Sequence, residues 1–297
     1  MKKLKNKVIN TGDINKKDYL LISWFITDKC NYSCSYCSSV EFNNKNKISE
    51  NLNKIILFKL KKLKNDYRLD IVGGEPLLNK NLINYVKTVN EYKRCKEIYL
   101  FTNASFSNEK YIKLLTYEKI LLIFSYHEEY HDPETFINKI ILLNNKRIVV
   151  NVNITSINIE KTKKLINLLK KNKIEFNLNY LEDTEKFTKD KNYYDNISTL
   201  ISENLEILPK YRFLFKDNKE YIFNQFDINK NNLNNFNNFY CWSNSFIFKK
   251  DKLVNECTGK EIKITTLNKK INTRIKCPLN RCDCTQMYTF YKENYEK

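Results

Sequence analysis

Six strand-like segments alternate with five helix-like segments over the first two-thirds of the chain, and this alternation most constrains its fold. The strand-like segments are Leu20–Thr27, Arg68–Val72, Glu97–Thr102, Ile120–Tyr126, Ile148–Ile154 and Ile174–Leu181. The segments with helical periodicity are Ser49–Asn65, Asn81–Lys93, Asn108–Thr116, Asp132–Asn145 and Asn158–Lys171. Because parallel strands need crossover connections, this order predicts an α/β fold, a partial (β/α)6 TIM-like barrel. Active residues should gather at the C-terminal ends of its strands.

The pattern becomes looser after the last of these strands and ends in a cysteine-rich segment. There, Ser245–Lys249 and Lys252–Glu256 resemble a hairpin joined by a polar turn. We therefore predict four regions: an N-terminal tail (1–18), a barrel (19–185), a connecting region with an asparagine-rich linker (186–240) and a small cysteine-rich domain (241–297).

The formal net charge of +18 is large for 297 residues and favours acidic partners. A second explanation is codon usage, because heavy use of Lys, Asn, Ile, Tyr and Phe is typical of genes rich in A and T. Lysine and tyrosine are spread along the whole chain and form no basic stripe, so the pattern argues against nucleic acid as the partner.

The chain contains nine cysteines, an odd number, and all except Cys95 fall into two groups. Spacings of three or four residues suit metal sites better than disulfide bonds. No apolar run approaches the roughly 20 residues that span a bilayer. These features predict a cytoplasmic protein with reduced thiols and no membrane association.

The first cysteine group, Cys30, Cys34 and Cys37, has CxxxCxxC spacing and directly follows the first strand. Three thiolates in a short loop suit three irons of a [4Fe–4S] cube, which leaves the fourth iron open for catalysis. A zinc loop with a remote fourth ligand is the alternative. The next two strands also end in distinctive residues, Gly73-Gly74-Glu75-Pro76 and Thr102-Asn103.

In type, spacing and order, these motifs resemble the radical S-adenosylmethionine superfamily over roughly residues 19–181. The resemblance implies that the three cysteines hold a [4Fe–4S] cluster and that Gly73–Pro76 receives the methionine amino group of S-adenosylmethionine. It also places Tyr36 against the adenine, and Thr102, Asn103 and Ser125 near the cofactor. The glycine that usually follows the third-strand pair is Ala104 here.

The reaction implied by the resemblance is reductive cleavage of S-adenosylmethionine to a 5′-deoxyadenosyl radical, which abstracts a hydrogen atom from a substrate. A peptide or protein is the first candidate substrate, with maturation, crosslinking or epimerisation as the outcome. The alternatives are oxidation or rearrangement of a carbohydrate or other small molecule, and an RNA-modifying or RNA-binding role. An acidic electron donor such as flavodoxin or ferredoxin would suit the basic charge.

The second cysteine group occupies the last part of the chain and comprises Cys241, Cys257, Cys277, Cys282 and Cys284. Its order of a cysteine, a hairpin, a cysteine and a close group resembles the SPASM and twitch extensions of the same superfamily. This resemblance implies a shortened unit with one auxiliary [4Fe–4S] cluster, to which one of the five cysteines is not a ligand. A structural zinc ribbon is the alternative.

The only two histidines, His127 and His131, lie in a sequence that matches the HExxH zinc-protease pattern. That motif needs both histidines on one continuous helix, whereas the Asp132-Pro133 helix start follows His131. We instead expect His127 at the mouth of the barrel, as an acid, a base or a substrate contact. A surface-loop histidine pair is the alternative.

Overall fold

The computed structural model describes residues 8–11, 19–37, 48–154, 158–180, 198–208, 210–224, 227–228, 231, 233–237, 239–268, 274–278, 282 and 291–295. The chain divides into two compact units. We name one the loop unit (Trp24–Phe58 and Leu69–Ile207), because it contains the first cysteine group. The other, the tail unit (Met1–Ser23, Lys59–Arg68 and Leu208–Lys297), contains the C-terminal cysteines. No helix in the described part of the chain is both long and apolar enough to cross a bilayer.

The six strands and five principal helices between residues 20 and 180 follow the predicted alternation. The strands are β1 (Val8–Thr11), β2 (Leu20–Phe25), β3 (Tyr67–Val72), β4 (Cys95–Thr102), β5 (Ile120–Tyr126), β6 (Ile148–Ile154), β7 (Phe176–Tyr180), β8 (Lys210–Phe215), β9 (Glu220–Asn224), β10 (Phe239–Trp242), β11 (Ser245–Lys249), β12 (Lys252–Asn255), β13 (Arg274–Lys276) and β14 (Lys292–Asn294). The helices are α1 (Glu50–Lys61), α2 (Leu82–Asn90), α3 (Asn108–Leu115), α4 (Pro133–Leu143) and α5 (Ile159–Lys171).

In the loop unit, β3 to β7 lie side by side in chain order in a sheet that also includes β2. The pairings from β4 to β7 are parallel, with Leu100 opposite Leu122 and Val150 opposite Phe176. Parallel neighbours require a crossover between them, and α3, α4 and α5 supply it. The predicted mixed α/β class with a parallel sheet is therefore confirmed.

The helices of the loop unit begin where the sequence provides a cap and pack through one apolar face. The Asp132 carboxylate accepts a hydrogen bond from the Thr135 N–H at 3.0 Å, and Pro133 is the first residue of α4. The buried residues of α4 recur at helical spacing and are Pro133, Phe136, Ile137, Ile140 and Leu143. Each large apolar side chain buried in this way stabilises the fold by about 1.5–3 kcal/mol.

The tail unit is built on an antiparallel sheet of six strands in the order β13-β10-β14-β1-β8-β9. A second pairing joins β11 to β12 in an antiparallel hairpin, as the sequence predicted. Within this unit β11 also pairs in parallel with β2, where Ser245 lies opposite Leu21. The main apolar core beneath the six strands contains Val8, Phe213, Phe215, Ile228, Leu233, Phe236, Phe239 and Cys282.

The structure differs from the predicted regions at two places. Val8–Thr11, within the predicted tail 1–18, is a strand that pairs with both β14 and β8. Four residues carry too little periodicity to indicate a strand, and distant neighbours provide the pairing. The predicted linker within 186–240 contributes Leu233 and Phe236 to the core. These two core residues lie three positions apart in a segment that is otherwise rich in asparagine.

Candidate functional site

The cysteine loop, residues 30–37, follows β2 in the loop unit. Cys30 is exposed, Cys37 is half-buried and Cys34 is buried. The loop is shaped by its own backbone, since the Cys37 N–H donates to the Cys34 carbonyl oxygen at 3.1 Å. The Tyr32 N–H also lies 3.4 Å from the Cys30 Sγ atom. Burial, with a smaller contribution from Cys37, raises the pKa of the Cys34 thiol to about 12.

Gly73 and Gly74 bring the end of β3 against the start of the cysteine loop. The Gly74 N–H donates to the Thr27 carbonyl at 3.1 Å, and the Glu75 N–H donates to the Lys29 carbonyl at 2.7 Å. A Cβ atom on Gly74 would lie 2.3 Å from the Lys29 carbonyl oxygen, and one on Gly73 would lie 2.4 Å from that of Thr27. Gly73 also has φ +151°, which side chains disfavour. Both positions therefore require glycine.

The Glu75 carboxylate is fully buried and joins the ends of β3 and β4. Its oxygens accept hydrogen bonds from the Leu77 N–H at 3.0 Å, the Thr102 hydroxyl at 2.9 Å and the Asn103 N–H at 2.7 Å. Burial raises the pKa of Glu75, while the three hydrogen bonds oppose that shift. Glu75 and Thr102, two of the predicted cofactor contacts, thus form a hydrogen bond with each other through their side chains.

Asn103, the next predicted contact, reaches the cysteine loop directly. Its side-chain amide donates to the Asn31 Oδ1 atom at 2.9 Å and lies 4.0 Å from the Cys30 Sγ atom. Asn31 in turn donates to the Ser105 hydroxyl at 2.9 Å. The end of β4 therefore contacts the first half of the cysteine loop, and the end of β3 contacts the residues just before it.

A turn after β5, residues 127–131, covers the second half of the cysteine loop. The N–H groups of Tyr130 and His131 both donate to the His127 carbonyl, at 3.0 and 2.9 Å. This geometry is a turn that ends before α4 begins, so the two histidines do not share the helix that a zinc protease requires. The His127 Nδ1 atom lies 3.3 Å from the Cys34 Sγ atom and 2.7 Å from the Tyr36 hydroxyl.

Three residues of the same turn make further contacts with the cysteine loop that sequence reasoning missed. Tyr130 stacks on Tyr32 with ring centroids 4.1 Å apart, and its hydroxyl accepts the Ser33 N–H at 2.7 Å. The Glu129 carboxylate accepts hydrogen bonds from the Ser35 N–H and hydroxyl. The His131 Nε2 atom lies 3.1 Å from the Tyr32 hydroxyl. The sequence signal for these contacts is the HEEYH string itself. Its match to a protease motif involves the two histidines, whereas Glu129 and Tyr130 between them also contact the loop.

The last two predicted cofactor contacts are Tyr36 and Ser125. Tyr36 is buried, and its ring lies nearly parallel to that of His127 with the centroids 6.0 Å apart. Ser125 lies near the C-terminal end of β5, is half-buried and pairs in register with Asn151 of β6. Burial lowers the pKa of His127 to about 4, so its imidazole is neutral at pH 7.

Four of the five C-terminal cysteines lie among the described residues, all in the tail unit, and Cys284 lies outside them. Cys241 lies on β10, next to the edge strand of the six-stranded sheet, between Ile275 of β13 and Lys292 of β14. Burial raises the pKa of its thiol to about 12, with Lys292 opposing the shift and Cys257, Cys282 and Cys277 adding to it. Cys277 packs against the apolar core that contains Cys282.

The two thiol groups suit iron–sulfur clusters in donor chemistry. Soft thiolates are the ligands that such clusters take, and each group combines nearby thiols with a partly buried setting. Among the described residues, no three His, Cys, Asp or Glu side chains already stand in a metal-binding arrangement. Binding of a cluster would therefore require the thiols of each group to move closer to one another.

A family model described as a 4Fe-4S single cluster domain matches residues 21–148. GTP 3′,8-cyclase of Hydrogenovibrio crunogenus is 37% identical over 93 residues, which cover 30% of this chain and 28% of the cyclase. An S-adenosylmethionine-dependent nucleotide dehydratase of Fibrobacter sp. is 38% identical over 96 residues, covering 29% of this chain and 28% of the dehydratase. This chain thus spans less than a third of either relative.

One solved structure, native anSMEcpe with bound AdoMet, has a TM-score of 0.55 and covers 86% of this chain and 82% of its own. At 13% identity, this likeness shows a shared fold. The family match covers the part of the chain that carries the cysteine loop and its glycine partner, and the shared fold extends beyond it. Residues 21–148 therefore match a 4Fe-4S single cluster domain, and the chain shares its fold with native anSMEcpe.

Proposed function

We propose that this protein is a radical S-adenosylmethionine enzyme whose cluster is held by Cys30, Cys34 and Cys37. The three cysteines would hold the cluster, which would supply the one electron needed to cleave S-adenosylmethionine into methionine and a 5′-deoxyadenosyl radical able to take a hydrogen atom from the substrate. The remaining task of the protein is to hold these groups in place and to exclude water.

One observation carries this proposal: the glycine segment and the cysteine loop meet backbone against backbone. The Gly74 and Glu75 N–H groups donate to carbonyls of the residues just before Cys30. A ligand chelated by an iron at the cysteine loop would therefore lie within reach of the Gly73–Pro76 backbone. A zinc loop with a remote ligand requires no such junction.

The surrounding side chains support two kinds of role. Glu75, Thr102 and Asn103 hold the ends of β3 and β4 against the loop, and are positioning residues with Asn103 nearest to Cys30. Tyr36 and Ser125 remain proposed cofactor contacts. His127 lies beside Cys34 and Tyr36, and its neutral imidazole suits a proton acceptor or a hydrogen-bond donor to the cofactor.

We propose for the loop unit the partial barrel of the superfamily, and for the tail unit a twitch-like domain with one auxiliary [4Fe–4S] cluster. The order of Cys241, Cys257, Cys277 and Cys282 in the sequence and the packing of Cys277 against the core that contains Cys282 support the second assignment. One of the five C-terminal cysteines would not be a ligand. A zinc ribbon uses the same donors and remains the competing assignment.

The substrate that we propose is a peptide or protein, since cysteine-rich extensions of this kind resemble those of the superfamily's peptide-modifying branch. The second candidate is a small molecule. It is favoured by the 37% and 38% identities to a GTP cyclase and a nucleotide dehydratase. We further propose a cytoplasmic location and an acidic one-electron donor, flavodoxin or ferredoxin, which the net charge of +18 would attract.

The central claim is tested by anaerobic reconstitution with iron and sulfide, reduction with dithionite and measurement of 5′-deoxyadenosine. The triple variant Cys30→Ala/Cys34→Ala/Cys37→Ala should lose this product completely. Cys95→Ala is the matched control, because Cys95 is buried at the start of β4, outside the cysteine loop, and its thiol donates to the Glu97 carbonyl. Product formation by the triple variant would refute the assignment.

The substrate class is tested by isotope transfer. A peptide fraction from cells grown in deuterated medium should transfer deuterium into 5′-deoxyadenosine, and prior digestion of that fraction with protease should abolish the transfer. GTP is the probe for the second candidate. Deuterium transfer from deuterated GTP, with none from the peptide fraction, would favour the small-molecule function instead.

A further inference from the structure

The strand β9 (Glu220–Asn224) lies at one edge of the six-stranded sheet of the tail unit. It pairs with β8 on one side, and on its other side no strand among the described residues lies next to it. The backbone N–H and C=O groups of such an edge are a template onto which another extended chain can pair. Tyr221 is 40% exposed and Ile222 is 69% exposed, so the edge is both apolar and accessible to solvent.

The register of the β8–β9 hairpin identifies the backbone groups that face outward. The Phe215 N–H donates to the Lys219 carbonyl at 3.0 Å, which makes these two residues a hydrogen-bonded pair beside the turn. Arg212 lies opposite Ile222, three pairs further along. Because hydrogen-bonded and non-hydrogen-bonded pairs alternate along an antiparallel ladder, this pair is non-hydrogen-bonded. The N–H and C=O groups of Ile222, and those of Glu220 two residues earlier, therefore point away from β8.

One face of β9 presents aromatic rings to a chain that would pair with it. Tyr221 and Phe223 lie opposite Phe213 and Tyr211 of β8, on the face that packs toward the apolar core. The rings of Tyr221 and Phe223 are nearly parallel, with their centroids 6.3 Å apart. Aromatic side chains pair favourably with β-branched ones on neighbouring strands. A chain with β-branched residues at alternate positions would therefore suit this face.

Exposed charged residues surround this apolar edge. They are Lys210, Arg212, Lys216, Asp217, Lys219 and Glu220. Arg212 and Glu220 form an ion pair at 2.9 Å, which leaves three lysines against one aspartate. Two of these lysines are at the hairpin turn and Lys210 is at the other end, so acidic residues at both ends of a bound chain would be favoured. A second copy of this protein is disfavoured, because each copy carries a net charge of +18.

We infer that β9 binds an extended peptide segment as an added strand of this sheet, with β-branched residues at the centre of the segment and acidic residues at its ends. This inference rests on the proposed peptide or protein substrate, of which β9 holds one segment. Main-chain hydrogen bonds to Glu220 and Ile222 supply the affinity. The aromatic face and the lysines select the sequence.

The test measures binding of a fluorescent peptide to the full chain by fluorescence anisotropy. The probe is Glu-Glu-Val-Thr-Val-Thr-Val-Glu-Glu, and the comparison peptide has lysine in place of every glutamate. The decisive variant is Ile222→Pro, because proline removes the outward N–H without removing a hydrogen bond to β8. The matched control is Ile222→Thr, which keeps the N–H and a β-branched side chain. Circular dichroism checks the fold of each variant.

Ile222→Pro should weaken binding of the acidic probe by about tenfold or more, whereas Ile222→Thr should weaken it by less than about threefold. The double variant Lys216→Glu/Lys219→Glu should also weaken binding and make it less sensitive to salt. The lysine peptide should bind the parent more weakly than the acidic probe. If Ile222→Pro does not fold, Glu220→Pro removes the other outward N–H in its place.

Equal affinity of the parent and Ile222→Pro for the probe would overturn the inference, and so would failure of the parent to bind the probe. A dimer of the parent that Ile222→Pro abolishes would show that the edge holds a second copy instead. Because these measurements need no cofactor, their failure would leave the formation of 5′-deoxyadenosine unaffected. A peptide fraction that transfers no deuterium, with the probe still bound at β9, would refute the proposed substrate and not the binding edge.

Discussion

Tyr130 lies flat on Tyr32, with their ring planes 4° and their ring centroids 4.1 Å apart. The two residues are 98 positions apart in the chain, yet their contact places the turn after β5 on the cysteine loop. The Tyr130 hydroxyl adds a hydrogen bond from the Ser33 N–H. The turn thus restrains a segment whose thiols must keep a fixed spacing when they bind a cluster.

Replacement of Tyr130 should loosen the cysteine loop. Tyr130→Ala removes both the stack, worth about 0.5–1.5 kcal/mol, and the hydrogen bond. We expect the reconstituted variant to lose iron to a chelator roughly threefold to tenfold faster than the parent. Tyr130→Phe should fall between them, because it keeps the stack. Tyr221→Ala, at a similarly exposed tyrosine on β9, is the control. Equal rates for all four proteins would contradict a restraining role.

Gly74→Ala should disrupt the junction between β3 and the cysteine loop. Its methyl group would lie 2.3 Å from the Lys29 carbonyl oxygen, and backbone cannot give way as a side chain can. We expect a loss of about 3 kcal/mol or more in the free energy of unfolding, measured with denaturant.

The control for this variant is Gly259→Ala. Gly259 has φ +65° but no atom within 4 Å of its missing Cβ, so only backbone strain of about 1–2 kcal/mol should appear. A Gly74→Ala variant no less stable than Gly259→Ala would show that the close approach is unimportant.

Ala104→Gly should stabilise the protein. Ala104 has φ +58°, a left-handed conformation that costs an alanine about 1–2 kcal/mol, and Lys139 holds its carbonyl oxygen at 2.6 Å. Glycine removes this strain but adds backbone entropy to the unfolded chain. The expected gain in unfolding free energy is about 0.5–1 kcal/mol. Ala104→Val, with a β-branched side chain, should lose stability, and a gain with valine would refute the explanation.

The stability of the metal-free protein should fall as the pH drops below about 6.5. Burial lowers the pKa of His127 to about 4 and that of His131 to about 3. The unfolded chain therefore binds protons that the folded chain does not, and each histidine contributes a slope of up to about 1.4 kcal/mol per pH unit. His131→Gln should reduce the slope between about pH 5 and pH 6.5 to roughly half. An unchanged slope would exclude His131 as a source.

Local patterns predicted most of the loop unit. The start of α4 followed from Asp132 and Pro133, and the strands β3 to β6 followed from short apolar runs with turn residues at their ends. These features depend on residues a few positions apart, which is the range over which periodicity and capping act.

Contacts between distant segments could not be predicted in this way. Nothing near Tyr32 indicates that Tyr130 will lie on it, and nothing near Thr11 indicates pairing with both Lys292 and Phe213. Lys292 likewise looks like one of the many surface lysines, because burial is set by the sheet around it rather than by its neighbours in sequence. Composition also gave a different prediction from the structure, because the asparagine-rich segment was predicted to be a linker and provides core residues.

The contact between the β3 end and the cysteine loop has an evolutionary consequence. Glycine codons begin with two guanines, and this chain has the composition of a gene drifting toward A and T, with only four glycines in 297 residues. Two of those four are adjacent at Gly73 and Gly74. Mutation toward A and T should therefore replace such glycines often, and each replacement would put a side chain at the point where the two backbones touch.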